Sequence, residues 1–230
     1  MIKPVTDKFK IYCNSTVEHY RCDTFYDKEP ETISWIDGFD DGVFIDVGAN
    51  IGIYSLYCAS IHPNMTIYAI EPMVANYVRL CMNVGLNEFK NIQPIHAAVG
   101  YEPKWLSMRT LACTSDKPGT SGHSISDEHQ GQPVIYTNLS ALFSEADYLK
   151  IDTDGNETDV LRGAKRVLPK LKSLLVEART DTQDAIDHKL QFKGFRLDKE
   201  LWDLPNHSRY RREKEANNDA VNLIYRNLML

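Results

Sequence analysis

The stretch Val43–Ala59, VFIDVGANIGIYSLYCA, constrains the fold more than any other part of the chain. Val43 to Val47 has the near-continuous apolar character of a strand buried on both faces. Gly48 to Gly52 predicts a tight turn, and Ile51 to Ala59 predicts an apolar helix packed under a sheet. Strand, glycine turn and helix in that order bring backbone N–H groups to a helix N-terminus beside the carboxyl edge of the sheet. That geometry suits an adenosyl or nucleotide ligand.

The next elements extend the pattern. MTIYAIEP, Met65 to Pro72, reads as a second strand ending in Glu71, 25 residues after Asp46. This spacing fits one β-α-β unit and places an acid where it accepts hydrogen bonds from the two hydroxyls of a ribose. Pro72 can begin the following helix. Asp46, beside Gly48, either ties the turn or reaches a ligand through water. Only Gly48 and Gly52 are present, so the turn lacks the G-x-G-x-x-G spacing that lets a pyrophosphate approach the backbone. A nicotinamide-dependent oxidoreductase is therefore the weaker alternative.

Ala75 to Asn87 predicts an amphipathic helix with Val78, Cys81, Met82 and Leu86 inward. A third strand is expected over Ile92 to Gly100, with His96 packed or at an edge. Residues 101–140 interrupt the alternation with strand-like WLSMRTL, a Gly/Ser loop PGTSGHSIS, and GQPVIYTNLSAL, a strand entering a helical turn. An insertion on the ligand side is the natural place for substrate recognition. His123, between loop glycines, is a candidate base or substrate contact, against a solvated loop histidine.

A fourth strand, from Asp147, carries a second cluster. Asp152, Asp154 and Glu157 crowd its carboxyl end and the N-terminus of a helix expected over Thr158 to Leu171. A helix start favours negative charge. Three acids so close also call for a partner, namely a lysine, a metal or substrate hydroxyls. Oxygen ligands cluster here, yet no motif demands a metal. Ser173 to Ala178, a helix from Thr182 to Phe192, and strands at GFRL and Ala220 to Asn227 complete the chain with a C-terminal hairpin. Arg209, Arg211, Arg212 and Lys214 form a charged run that is either solvated or meets a phosphate.

The 230 residues are 43% hydrophobic and 25% charged, enough for one sizeable α/β domain (42–230) with an N-terminal extension or cap (1–41). The helix expected near Trp35 either covers the mouth of the ligand site or is a packing extension that closes one side of the core. A formal charge of -6 argues against nucleic acid as partner. No stretch approaches a membrane span. Five scattered cysteines and no apolar leader point to reduced thiols in the cytoplasm.

DVGANIG, IEP and KIDTDGNETDVLRGA, in this order and spacing, resemble the FkbM family of S-adenosylmethionine-dependent methyltransferases. The likeness runs from about Val43 to Val176, with NLIY near the end compatible. It implies a Rossmann-like class I methyltransferase sheet of seven mostly parallel strands in the order 3-2-1-4-5-7-6, the seventh antiparallel, with helices on both faces. It implies S-adenosylmethionine as cofactor, with Asp46, Gly48, Asn50 and Gly52 at its methionine and adenosyl parts and Glu71, followed by Pro72, at the ribose. The family phrase at the fourth strand is close to K-I-D-V-E-G-x-E; Lys150, Ile151, Asp152, Gly155 and Glu157 match it, while Thr153 and Asp154 depart from it. The shorter acid at 154 loses one methylene of reach.

Such a family implies O-methylation of a sugar, sugar conjugate or other small polar acceptor, a glycan precursor among them. Asp152, His123 and Asp154 are then the catalytic candidates, and His123, Asp154 and Glu157 the substrate contacts. A non-catalytic protein that kept the fold and binds S-adenosylmethionine is the other alternative. Neither the acceptor nor the oligomeric state is written in the sequence.

Overall fold

The computed structural model describes residues 1–102, 106–113, 115–126, 131–209 and 220–230. A small antiparallel pair, β1 (Ile2–Pro4) and β2 (Lys10–Tyr12), opens the chain, followed by α1 (Thr16–Asp23), α2 (Phe25–Lys28) and α3 (Pro30–Asp37). The central unit runs β3 (Val43–Val47), α4 (Ile53–Ile61), β4 (Thr66–Ile70), α5 (Val74–Leu86) and β5 (Ile92–Ile95). Four short elements follow: β6 (Ala98–Val99), β7 (Leu106–Ala112), β8 (Ser124–Ser126) and β9 (Gln132–Thr137). The chain then continues through α6 (Leu139–Leu142), β10 (Tyr148–Ile151), α7 (Glu157–Gly163), β11 (Ser173–Arg179), α8 (Thr180–Phe192), β12 (Phe195–Leu197), α9 (Lys199–Trp202) and β13 (Ala220–Asn227).

Among the described residues the main sheet has seven strands, ordered β12-β13-β11-β10-β3-β4-β5. Counted along the chain within this sheet, that is 3-2-1-4-5-7-6. β13 alone runs antiparallel to the other six strands. This is the expected Rossmann-like class I methyltransferase arrangement. Successive strand residues enter opposite layers: Phe44 and Tyr148 join the layer of α3 and α4, while Ile45, Val47, Leu149 and Ile151 join the layer of α7 and α8. With both faces covered, the strands read as unbroken apolar runs. Residues 53–59 of α4 are all buried, as a helix apolar on every side must be.

The N-terminal residues belong to the first of these layers. Phe9, Ile11, Phe25, Trp35, Ile36 and Phe39 share one core with α4. Trp35 donates from Nε1 to Ser173 Oγ at 2.8 Å.

Four details depart from the sequence reading. The helix after the first turn begins at Ile53 rather than Ile51, because Gly52 is its N-cap. On α5, Val78 and Met82 are exposed and Cys81 only half-buried; the buried face carries Asn76, Arg79, Leu80 and Asn83. Those polar groups face inward because the N-terminal segment answers them. Arg79 pairs with the buried Glu18 at 2.7 Å, and Asn83 accepts from the Tyr12 N–H and donates to the Ile51 carbonyl, both at 2.9 Å. The third strand divides after Ile95, and β6 leaves the main sheet to join an accessory four-stranded sheet, β6-β9-β7-β8. The helix expected through Leu171 stops at Gly163, where an added Cβ would stand 2.3 Å from the Gly100 carbonyl; a short 3-10 turn at Leu168–Lys170 follows.

Candidate functional site

A cavity of about 720 Å³ opens at the carboxyl ends of β3, β4, β10 and β11. Its floor is the turn after β3. The Gly48 and Ala49 N–H groups donate to the Ile70 carbonyl at 2.9 and 3.0 Å, which draws the turn against β4. Gly48 has φ +82°, and an added Cβ would lie 1.8 Å from the Asp152 carbonyl oxygen. Only glycine permits that crossing of two strand exits. Asn50 is also left-handed, at φ 54°.

Glu71 lies just past β4 and is 4% exposed. One oxygen accepts from the Asn50 N–H at 2.8 Å, the other from the Met73 N–H at 2.9 Å and Asn76 Nδ2 at 3.3 Å. Burial pushes its carboxyl up to about 7, although these donors pull the other way.

Asp152 lies just past β10, and 27% of its side chain is accessible. Lys150 Nζ donates to its Oδ2 at 2.8 Å. Burial raises this carboxyl, but the charge and hydrogen bond of Lys150, together with the Lys28 charge, bring it below the usual carboxylate range. The lysine is thus the partner that the acidic cluster called for. The other two acids are bound by the chain itself. Glu157 accepts from the Thr153 N–H at 3.2 Å, Thr153 Oγ1 at 3.1 Å and the Gly155 N–H at 2.9 Å. Asp154 accepts from the Gly122 N–H at 2.7 Å.

Gly122 belongs to a strap, residues 118–123, that crosses the cavity. The Thr120 carbonyl accepts from Asn50 Nδ2 at 2.8 Å and Asn76 Nδ2 at 3.1 Å. The Gly119 N–H donates to Asn76 Oδ1 at 2.8 Å, and the Gly119 carbonyl accepts from Arg21 Nε at 2.8 Å. His123 sits at the end of this strap, buried, and lines the cavity.

The cavity therefore brings together Gly48, Asn50, Glu71, Pro72, His123, Asp152, Asp154 and Glu157 of the residues expected from sequence. Asp46 and Gly52 do not line it. Asp46 is fully buried beneath the turn, accepting from Ser55 Oγ at 2.7 Å, 3.8 Å from Lys150 Nζ. Burial raises its carboxyl despite that lysine. Gly52 is the left-handed cap of α4, packed under Leu80. The helix near Trp35 does not cover the site either; Tyr20, Arg21 and Lys28, from α1 and α2, reach it instead. Glu177 and Arg179 of β11 line the far end and were not singled out from sequence. Alternation along the fifth strand places residues 177 and 179 on one face, a signal that was available. His96 is packed, its Nε2 2.9 Å from the Pro72 carbonyl and its ring stacked on Tyr77. Arg209 lies over the Trp202 ring, away from the cavity, while Arg211, Arg212 and Lys214 lie outside the described residues.

Among the described residues no group of three or more His, Cys, Asp or Glu is arranged to hold a metal ion. No described helix is long and apolar enough to cross a membrane. The five cysteines are free thiols.

With the sheet order, the turn and the paired acids in place, comparison with known proteins decides the family. The methyltransferase FkbM domain matches residues 46–197. The chain belongs to the FkbM methyltransferase family. As a member of it, the protein is an S-adenosylmethionine-dependent methyltransferase. The FkbM chain is 29% identical over 189 residues to "Methyltransferase 1" of Beauveria bassiana, covering 69% of this chain and 73% of that protein. A 45-residue segment is 49% identical to part of the AMB antimetabolite synthetase AmbE of Pseudomonas aeruginosa, which amounts to 20% of this chain and 2% of that protein. In fold, the FkbM chain is similar to the precorrin-6y C5,15-methyltransferase of Geobacter metallireducens, with TM-score 0.52, 15% identity and 97% of each chain covered.

Proposed function

We propose that this FkbM methyltransferase O-methylates a hydroxyl of a sugar, sugar conjugate or other small polar metabolite. The observation that carries the reading is the partly accessible Asp152 carboxylate at the sheet edge beside the glycine turn, with Glu177 and Arg179 beyond it in the same cavity. Hydrogen-bonding side chains at that end suit a hydroxylated acceptor better than an apolar one.

The residues present fit the cofactor. Glu71 is positioned to accept from ribose hydroxyls, and Ile70, Pro72, Ala97, Leu111 and Ile125 supply apolar walls for a base. Gly48 and Asn50 line the floor for the methionine part, while Asp46 acts from below. S-adenosylmethionine supplies a methyl group already activated on a sulfonium. The chain has to align the acceptor oxygen with that carbon and keep water out. The strap, with His123, covers the site. Asp152 accepts a hydrogen bond from the acceptor hydroxyl and orients it. As the new C–O bond forms, the hydroxyl proton becomes strongly acidic, so a carboxylate of low basicity suffices to take it. Asp154 holds the strap through Gly122 and thereby positions His123, and Glu157 keeps the 153–155 loop in shape.

Incubation with labelled methyl donor and a panel of sugars, sugar nucleotides and small polar metabolites with and without hydroxyls tests the reading. Label recovered in an alkali-stable methyl ether supports it. Label recovered only on nitrogen, or only on panel members without hydroxyls, sinks it.

A further inference from the structure

Lys150 is 1% exposed, in the middle strand of the main sheet. A core that needed only packing at this place would take an apolar side chain of similar volume, since burying an ammonium is costly. The surroundings show what the charge does. From β3, Asp46 is its ladder partner and stands 3.8 Å from Nζ. From the exit of β10, Asp152 stands 2.8 Å away. From α4, the Tyr54 ring lies 5.3 Å below, and its hydroxyl donates to Glu29 at 2.9 Å. From the N-terminal segment, Glu29, 1% exposed, also accepts from Lys28.

The two carboxylates on Lys150 are not equivalent. Asp46 takes its hydrogen bond from Ser55, stands only in ion-pair range of Lys150, and does not line the cavity. Asp152 faces the cavity, and among the described residues nothing donates to its second oxygen, Oδ1.

We propose that Lys150 is a positioning residue for methyl transfer: by fixing Asp152 Oδ2 it keeps that carboxylate charged and presents Oδ1 to the acceptor hydroxyl, while Asp46 and Ser55 hold Lys150 in place. The proposal rests on the acceptor reading above for its catalytic consequence and on the ion-pair geometry alone for its physical one. Lys150 stays protonated because Asp152 and Asp46 outweigh the effect of its burial. The N-terminal cap takes part through Glu29 and Lys28, whose charges oppose each other at Asp152.

The experiment follows the carboxyl carbon of Asp152 by NMR on aspartate-labelled full-length protein, the signal being assigned by its loss in Asp152→Asn. In the native protein the titration falls below the ordinary carboxylate range. In Lys150→Met it moves up by about one to three pH units, the scale of an ion-pair contribution, and Lys150→Arg restores most of the difference. The double variant Lys150→Met/Asp46→Asn removes one buried charge of each sign, so it serves if Lys150→Met does not fold. A titration unmoved in the Met variant overturns the proposal, as does a failure of arginine to restore it. Where the hydroxyl panel yields a product, the acid limb of the kcat–pH profile shifts by the same interval, with S-adenosylhomocysteine affinity changed less than about threefold. An unmoved limb with reduced kcat indicates a merely structural lysine and also overturns it. A panel without product counts against the acceptor reading only, and the NMR titration then decides the positioning role by itself.

Discussion

Two carboxylates flank the exit of β3 at the carboxyl edge of the sheet, and they are held in opposite ways. Glu71, past β4, is enclosed by neutral donors, two backbone N–H groups and one side-chain amide. Asp152, past β10, has one charged partner. Burial raises the first to about 7, whereas the lysine holds the second down. Burial works against the charge of both. At Glu71 the neutral donors oppose it only in part, whereas at Asp152 the charge and hydrogen bond of Lys150, with Lys28 behind it, tip the balance the other way. It also separates their uses. Glu71 can change protonation near neutral pH; Asp152 stays charged.

The largest effect that breaks the comparison is expected from Asp152→Asn. It keeps the shape and removes the charge, and it lowers turnover by about 10²- to 10⁴-fold, the range of acid–base groups. S-adenosylhomocysteine affinity by calorimetry changes little; an unchanged kcat rules out the acceptor role. Gly48→Ala strikes both sides of the edge, since the new Cβ meets the Asp152 carbonyl in a left-handed turn. Overpacking and backbone strain together cost about 2–4 kcal/mol, read as a lower denaturant midpoint, and a native midpoint would show that the two strand exits move apart freely.

The third effect is a pH dependence. Folding raises the Glu71 pKa from 4.5 to about 7, so the folded state binds the proton more tightly. The resulting stability is fully present below pH 4.5, fades as pH rises, and is gone above about pH 7. At about 1.4 kcal/mol per unit this amounts to roughly 3 kcal/mol. Glu71→Gln does not titrate. Its unfolding free energy relative to the native protein therefore increases by about that amount between pH 4 and pH 8; a constant gap contradicts the buried, neutral acid. The smallest effect is on ligand affinity. Glu71→Ala weakens S-adenosylhomocysteine binding by about 10- to 100-fold, the scale of two hydrogen bonds lost at a buried site. Unaltered binding counts against the ribose contact.

The sheet and its order were legible because strands buried on both faces announce themselves. VFIDV and SLLVEA need no periodicity to be recognised, and Gly48 with Glu71 marks the edge where a ligand fits. The inward face of α5 was not legible, because the rule that apolar residues point inward fails where Asn76, Arg79 and Asn83 find partners in the N-terminal segment and the strap. Those partners are 43 to 71 residues away in sequence. The accessory sheet is not legible as a sheet. β6 reads as the end of the third strand, being two residues long and defined only by pairing with β9. β8, Ser124–Ser126, falls in a stretch that reads as a Gly/Ser loop and becomes a strand only against β7. Within the site, residue types identified the acids but not their orientation. Asp46 and Asp152 look alike in sequence, and the tertiary structure alone puts one beneath the turn and the other at the cavity.

Asn50 has a consequence beyond its own contacts. Its backbone N–H meets Glu71 and its side-chain amide meets the Thr120 carbonyl, so a single residue joins floor to roof. Remodelling of the cofactor end is thereby tied to remodelling of the cover. In the proposed reading the acceptor lies toward the opposite rim, around Glu177 and Arg179, which carries no part of that link.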